Sequence, residues 1–214
     1  MDINKKEILN QSEEIEKIDK SYLWKTFISE AGENFIINDA NKNIIYTILM
    51  YFCGLNDFDK LGVITNNPSL EKGILIYGNA GVGKTMLFEI IKRVGKRVYQ
   101  ERGIKKMLFN NISCGSFVNL FMMSSRDNPL EMNIETYFKG KRLYIDDLGI
   151  EPLCFNSYEL MEQVLFERER NNAVTYCTTN MMPEGIKEKY GFRVGDRLKS
   201  MFNIIEWRGS SLRN

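Results

Sequence analysis

The chain contains no histidine. That absence removes Ser–His hydrolysis, His-ligated zinc and imidazole acid–base chemistry together. Cysteine is sparse as well. Cys53, Cys114, Cys154 and Cys177 are the four present, and no two have the C-x-x-C spacing of a zinc knuckle or a redox motif. Buried, reduced thiols in a cytosolic protein are the expectation. Neither sign of charge is in excess, with 29 Lys and Arg against 28 Asp and Glu, so a nucleic-acid surface has to come from local clustering. No apolar run approaches the ~20 residues of a membrane span. The opening residues, MDINKKEILNQSEEIEKIDK, are charged and lack the apolar centre of a signal peptide. These absences lead to the expectation of a soluble, cytoplasmic protein with no membrane partner.

What is present has globular proportions. Over 214 residues, 43% are hydrophobic and 27% charged, enough to bury a core and too few polar residues for wholesale disorder. The length fits one domain, or one domain with a short appendage. Residues 1–34 read as that appendage, a helical extension. Ile8, Ile15 and Ile18 lie at roughly helical spacing, Tyr22, Leu23, Trp24, Phe27 and Ile28 form a second apolar group, and Gly32 is a stop signal. The segment is too small for a core of its own, so it either packs on the main domain or docks on a partner.

Residues 35–214 read as the main domain. A helix is expected over 38–54, with Asn38 or Asp39 as its N-cap and Ile44, Ile45, Ile48, Leu49 and Phe52 on its apolar face. The turn-rich stretch 62–72 closes it. After that, strand-like and helix-like pieces alternate. The expected strands are 74–77, 107–111, 143–145, 174–178 and 202–206, and the expected helices 84–97, 116–123, 158–171 and a short 184–190. Alternation of this kind predicts an α/β fold built on a parallel sheet of five strands, flanked by helices.

Two stretches carry chemistry. The apolar run ending at Tyr77 leads into Gly78-Asn79-Ala80-Gly81-Val82-Gly83-Lys84-Thr85 and then a helical pattern opening at Met86. This is G-x-x-x-x-G-K-[ST] in a strand–loop–helix context, which cradles the phosphates of a nucleotide. The glycines let successive backbone N–H groups point inward, and the helix N-terminus adds partial positive charge. Lys84 is placed for the β- and γ-phosphates, and the Thr85 hydroxyl for magnesium. Residues 78–86 are thus the expected binding set for ATP and Mg2+. The second stretch, Lys141-Arg142-Leu143-Tyr144-Ile145-Asp146-Asp147, runs from a basic start through a strand into two carboxylates. At the C-terminal edge of a parallel sheet, Asp146 is placed to hold magnesium and Asp147 to orient the attacking water. A weaker third piece is the strand that ends Thr178-Thr179-Asn180, where Asn180 faces the water or the γ-phosphate.

The order of these pieces resembles the AAA+ ATPases, and more narrowly the DnaC/DnaI helicase loaders and the IstB transposition ATPases. The segments that carry the resemblance are GNAGVGKT (78–85), LYIDDLGIE (143–151), TTN (178–180) and the tail YGFRVGDRLKSMFNIIEWRGSSLR (190–213). Gly191, Arg193, Val194, Arg197, Leu198, Ser211 and Arg213 match the family's tail box. The likeness implies an AAA+ type sheet and an ATPase whose hydrolysis is slow and dependent on assembly. It makes Arg197 the arginine finger that completes a neighbouring subunit's site, with Arg193 as its companion. Arg213 becomes the arginine that contacts the bound phosphates. Asp147 stands where AAA+ proteins often have Glu.

The basic stretch from Lys92 to Lys106 holds Lys92, Arg93, Lys96, Arg97, Arg102, Lys105 and Lys106 against the single acid Glu101, with Tyr99 among them. Read by itself it is either a solvated helix end or a phosphate-binding face. The resemblance favours single-stranded DNA. It also implies a replicative helicase as partner and homo-oligomers formed on ATP or DNA. Two alternatives stay open: an IstB-like regulator that binds duplex DNA and a transposase, and an interaction module that binds ATP and barely hydrolyses it.

Overall fold

The computed structural model describes residues 17–127 and 134–211. Its first helix, α1 (Lys20–Ala31), starts where the Asp19 side chain accepts the Tyr22 N–H at 2.8 Å and stops at Gly32, whose φ of 61° no longer continues the helix. It buries Leu23, Thr26, Phe27 and Ala31, and the Phe27 ring meets Phe35 edge-on at 6.1 Å. This part of the appendage packs into the main core.

The next helix, α2 (Lys42–Cys53), is apolar nearly all round and is buried almost continuously from Ile44 to its end. It begins later than its sequence suggests. Asn38 and Asp39 belong to a turn that is closed by the buried Asn41, whose side chain accepts from the Asn38 N–H and donates to the Ile36 carbonyl, both at 2.9 Å. The capping amide thus shapes the preceding segment instead of extending the helix.

The remaining elements are β1 (Gly73–Gly78), α3 (Lys84–Arg102), β2 (Asn110–Ser113), α4 (Cys114–Asp127), a 3-10 turn (Ile134–Tyr137), β3 (Leu143–Asp146), α5 (Leu160–Arg170), β4 (Thr175–Thr179), α6 (Pro183–Met201) and β5 (Phe202–Trp207). The strands form one sheet in the order β2-β3-β4-β1-β5, and every pairing is parallel. The period of two sorts the strand residues between two faces. Ile74, Ile76, Tyr144, Tyr176 and Ile205 pack with the helices α1–α3, whereas Leu75, Leu143, Ile145, Cys177 and Ile204 pack with α4–α6.

Two elements depart from the sequence pattern. Met107 is fully buried, but its backbone is part of a turn closed by Leu108 N–H to Lys105 O, so the second strand starts three residues later than expected. The helix that seemed to end at Tyr190 resumes after a kink at Gly191 (φ 80°, ψ 172°) and runs on to Met201. That second half carries Arg193 and Arg197.

A buried arginine ties α5 to the N-terminal edge of the sheet. Arg168 is 1% exposed, and its guanidinium donates to Thr175 Oγ1 at 2.8 Å and to the carbonyls of Tyr137, Lys141 and Val174 at 2.6–3.0 Å. Burial lowers its pKa to about 10.

Candidate nucleotide-binding site

The loop between β1 and α3 leaves the sheet beside β5, and its glycines are there for space. At Gly78 (φ 150°) a Cβ would lie 2.1 Å from the Trp207 carbonyl oxygen, and at Gly81 (φ 82°) it would lie 2.3 Å from Ser211 Oγ. The fixed backbone oxygen excludes a side chain at Gly78, and at Gly81 the left-handed φ disfavours one even where the serine hydroxyl can turn aside. The loop and the segment after β5 are therefore in direct contact, helped by Asn79 Nδ2 donating to the Gly209 carbonyl at 3.3 Å.

Lys84 turns back over this loop. Its ammonium is nearly buried and donates to the Gly78 carbonyl, the Asn79 carbonyl and Asn180 Oδ1, each at 2.8 Å. Loop, helix start and the end of β4 thus converge on one amine. On the other side, Thr85 Oγ1 donates to Asp146 Oδ1 at 2.9 Å. The same oxygen accepts from Tyr144 Oη at 2.5 Å and from Thr178 Oγ1 at 2.6 Å. Burial, followed by the neighbouring Asp146 carboxylate, pushes the Tyr144 phenol well above its usual pKa and keeps it a donor.

Asp147 follows with a φ of 51°, in the left-handed region. The hydrogen bonds around it fix the chain locally. Leu148 N–H donates to the Thr178 carbonyl at 2.8 Å, and Thr179 Oγ1 donates to the Leu148 carbonyl at 2.6 Å. Gly149 N–H donates to Glu151 Oε2 at 2.9 Å, and Tyr190 Oη donates to the other carboxylate oxygen of this buried acid. The ends of β3 and β4 are thereby locked together under the site.

Lys84, Thr85, Asp147 and Asn180 line a cavity of 770 Å³, and Asp146 sits behind Thr85 and is not itself among the lining residues. Ala80, Gly81, Gly83, Lys84, Thr85 and Met86 supply the phosphate-loop side, with Asp147, Asn180 and Ser211 around the rim. Gly78 and Asn79 act through the carbonyls that hold Lys84, and the Val82 side chain is core. The far wall is made by Asn34, Phe35 and Ile36, with Glu89 from α3. No motif in the sequence gives these four a role, although the apolar Phe35-Ile36-Ile37 between Gly32 and the turn before α2 is a signal that the segment packs.

Arg193 and Arg197 are not part of the cavity lining. Both sit on the second half of α6, over the Phe166 ring at 5.8 and 5.0 Å, and Arg197 pairs with Glu169 at 3.3 Å. Arg213 lies outside the described residues. The donor set suits magnesium: one hydroxyl and one carboxylate beside a cradle for phosphate oxygens are what this hard, octahedral ion takes. Among the described residues no group of three or more His, Cys, Asp or Glu could hold a metal ion.

Three cations of the basic stretch, Arg93, Arg97 and Arg102, meet α1. Arg93 donates to the Glu30 carbonyl at 2.9 Å, and Arg97 pairs with Glu101 at 2.8 Å and Glu30 at 3.4 Å. Arg102 lies 3.7 Å over the Tyr22 ring, whose hydroxyl donates to Glu101 at 2.7 Å. Lys96 and Lys105 stay exposed and Lys106 is half-buried. No helix among the described residues is long and apolar enough to cross a membrane.

No family model matches the chain. It is 25% identical over 187 residues to the replicative helicase loader DnaI of Bacillus subtilis (strain 168), an alignment covering 86% of this chain and 55% of that protein. The chain thus spans about half the length of this relative. Among solved structures, the DnaC helicase loader superposes with a TM-score of 0.59 at 20% identity, covering 86% of this chain and 99% of that one. The replication initiator DnaA bound to AMPPCP and single-stranded DNA gives 0.51 at 16% identity, covering 83% and 49%. Five parallel strands flanked by helices, with the phosphate loop after β1 and the paired carboxylates at the end of β3, give the chain the fold of the DnaC helicase loader and a sequence similar to that of the helicase loader DnaI.

Proposed function

We propose that the chain is an ATP-dependent accessory factor of DNA replication, of the helicase-loader type, that binds ATP with magnesium and single-stranded DNA and hydrolyses ATP slowly, in an assembly. The observation that carries this reading is the meeting of Lys84, Thr85, Asp146, Asp147 and Asn180 at the C-terminal edge of one parallel sheet. Ligands bind at that edge in open α/β folds.

In this reading the loop N–H groups and the α3 N-terminus receive the phosphates. Lys84 exchanges its carbonyl partners for β- and γ-phosphate oxygens. Thr85 and Asp146 would hold magnesium, which supplies charge neutralisation on the transferring phosphoryl group. Asp147 accepts the proton of the attacking water, and Asn180 orients that water or the γ-phosphate. Arg193 and Arg197, away from the chain's own cavity, serve a neighbouring copy, and Arg213 contacts the phosphates. The partner is a replicative helicase, which the likeness to DnaI supports. Residues 1–34 are the docking segment proposed for it, α1 being its anchored part. The assembly acts in the cytoplasm.

Single-stranded DNA binding is supported by the exposed cations Lys96 and Lys105 beside the half-buried Lys106, and by the fold likeness to DnaA, seen in complex with single-stranded DNA. The test is a titration of labelled single-stranded and duplex oligonucleotides against protein with ATP and magnesium, across salt concentrations. Single-strand binding should weaken steeply as salt rises. Neutralising Lys105 and Lys106 together should flatten the slope by up to about one unit for each phosphate no longer neutralised. A preference for duplex would favour the transposition-regulator reading, and an unchanged slope in the double variant would take this cluster out of the DNA interface.

A further inference from the structure

We propose that Tyr144 and Thr178 are positioning residues of the nucleotide site: Tyr144 and Thr178 orient Asp146 toward the metal, and Thr178 also holds the backbone of Asp147. The inference rests on the reading of this site as one for ATP with magnesium, and it assigns work to two residues that no phosphate-loop motif includes.

The placement follows from the sheet. Tyr144 and Asp146 are two apart on β3 and therefore share a face. The β3–β4 register pairs Tyr144 with Tyr176 and Ile145 with Cys177, so the next step along both strands brings Thr178 beside Asp146. Asp146 Oδ1 then accepts from Tyr144 Oη (2.5 Å), Thr178 Oγ1 (2.6 Å) and Thr85 Oγ1 (2.9 Å). A carboxylate oxygen offers about two lone-pair sites, so three donors saturate Oδ1. Oδ2 is the oxygen left to serve a metal or its water.

Packing keeps this orientation. The Tyr144 ring is buried and stacks on Phe88 at 4.4 Å and 15°, with Phe109 edge-on at 6.1 Å. Phe88 is one turn along α3 from Thr85, so a single stack relates the tyrosine to the start of the phosphate-binding helix. Thr178 is fully buried, and its hydroxyl accepts the Asp147 N–H at 3.3 Å while donating to Asp146. One hydroxyl thereby links both carboxylate residues. Core packing alone calls for neither hydroxyl: phenylalanine and valine fill the same spaces without desolvating a polar group. Both hydroxyls converge on one carboxylate, and outer partners of this kind typically tune metal affinity by about 10–100-fold.

The experiment compares wild type with Tyr144→Phe, Thr178→Val and Thr178→Ser. Binding of a fluorescent, non-hydrolysable ATP analogue is measured in EDTA and then across magnesium concentrations, with thermal unfolding as the folding control. In EDTA all four proteins should bind alike. The magnesium concentration for half-maximal enhancement of binding should rise about 10-fold in Tyr144→Phe and in Thr178→Val, while Thr178→Ser, which keeps the hydroxyl, should stay near wild type. With ATP at saturating magnesium, turnover should recover in Tyr144→Phe and stay low in Thr178→Val, because only the second loses the hold on Asp147. An unchanged magnesium midpoint in folded Tyr144→Phe overturns the proposal, and that variant decides the matter if Thr178→Val does not fold. A wild type that binds the analogue with no magnesium enhancement overturns the ATP–magnesium reading itself, and this proposal with it.

Discussion

Replacing Lys84 with alanine tests the site at the point where most of it meets. The Lys84 ammonium is held by two loop carbonyls and by Asn180 Oδ1, all at 2.8 Å. Lys84 and Asn180 border a 770 Å³ cavity, so water can take over from the missing amine and the fold should survive. The cost falls on the nucleotide. A hydrogen bond to a charged group contributes about 1.5–3 kcal/mol. Wild-type Lys84 must release its carbonyl partners when phosphate arrives, so the net difference is about one such bond. At 1.4 kcal/mol per tenfold, the alanine variant should bind ATP with magnesium between ~10-fold and ~150-fold more weakly. Titration of a fluorescent ATP analogue at fixed magnesium reads this directly, and a melting curve without nucleotide checks that the fold is intact. A change below about twofold in a protein that melts normally would refute the assignment of Lys84 to the phosphates.

Asp147→Asn should keep nucleotide affinity and lose about 10²–10⁴ in turnover, because only the proton acceptor is removed; single-turnover kinetics checks this, and full activity would clear Asp147 of the role. Arg197→Ala should bind ATP normally but hydrolyse it poorly, and mixing it with Lys84→Ala should restore part of the activity if the finger acts between subunits. No recovery in a mixture shown to co-assemble would place Arg197 in its own chain's mechanism or outside the mechanism. Arg168→Met should lower the unfolding free energy by about 3 kcal/mol, because three carbonyls and the Thr175 hydroxyl lose a buried donor. Urea denaturation measures this, and a decrease below ~1 kcal/mol would show that water replaces the guanidinium.

Chemistry that is local could be read from the amino-acid order alone. A loop that curls around phosphates needs glycines at fixed offsets and a lysine and threonine opening the next helix, and residues 78–85 state all of that in eight letters. Two carboxylates at the end of an apolar strand are equally local, and so is the alternation of strand and helix that made the parallel sheet legible. Packing settled everything that joins distant segments. Ser211 touches the space Gly81 leaves open, and Phe35 and Ile36 wall the cavity from the far end of the chain. Thr178 reaches Asp146 only because β3 and β4 are neighbours in register. Charge was the clearest case. A run of seven cations read as either a solvated helix end or a phosphate-binding face, yet the acids and the tyrosine ring that engage Arg93, Arg97 and Arg102 include Glu30 and Tyr22, some 63–80 residues upstream and brought there by the docking of α1 on α3. Composition fixes how much charge a segment carries, but what faces that charge depends on which helix packs beside it. That depends on buried apolar contacts such as those of Leu23 and Phe27, which no local window of sequence contains.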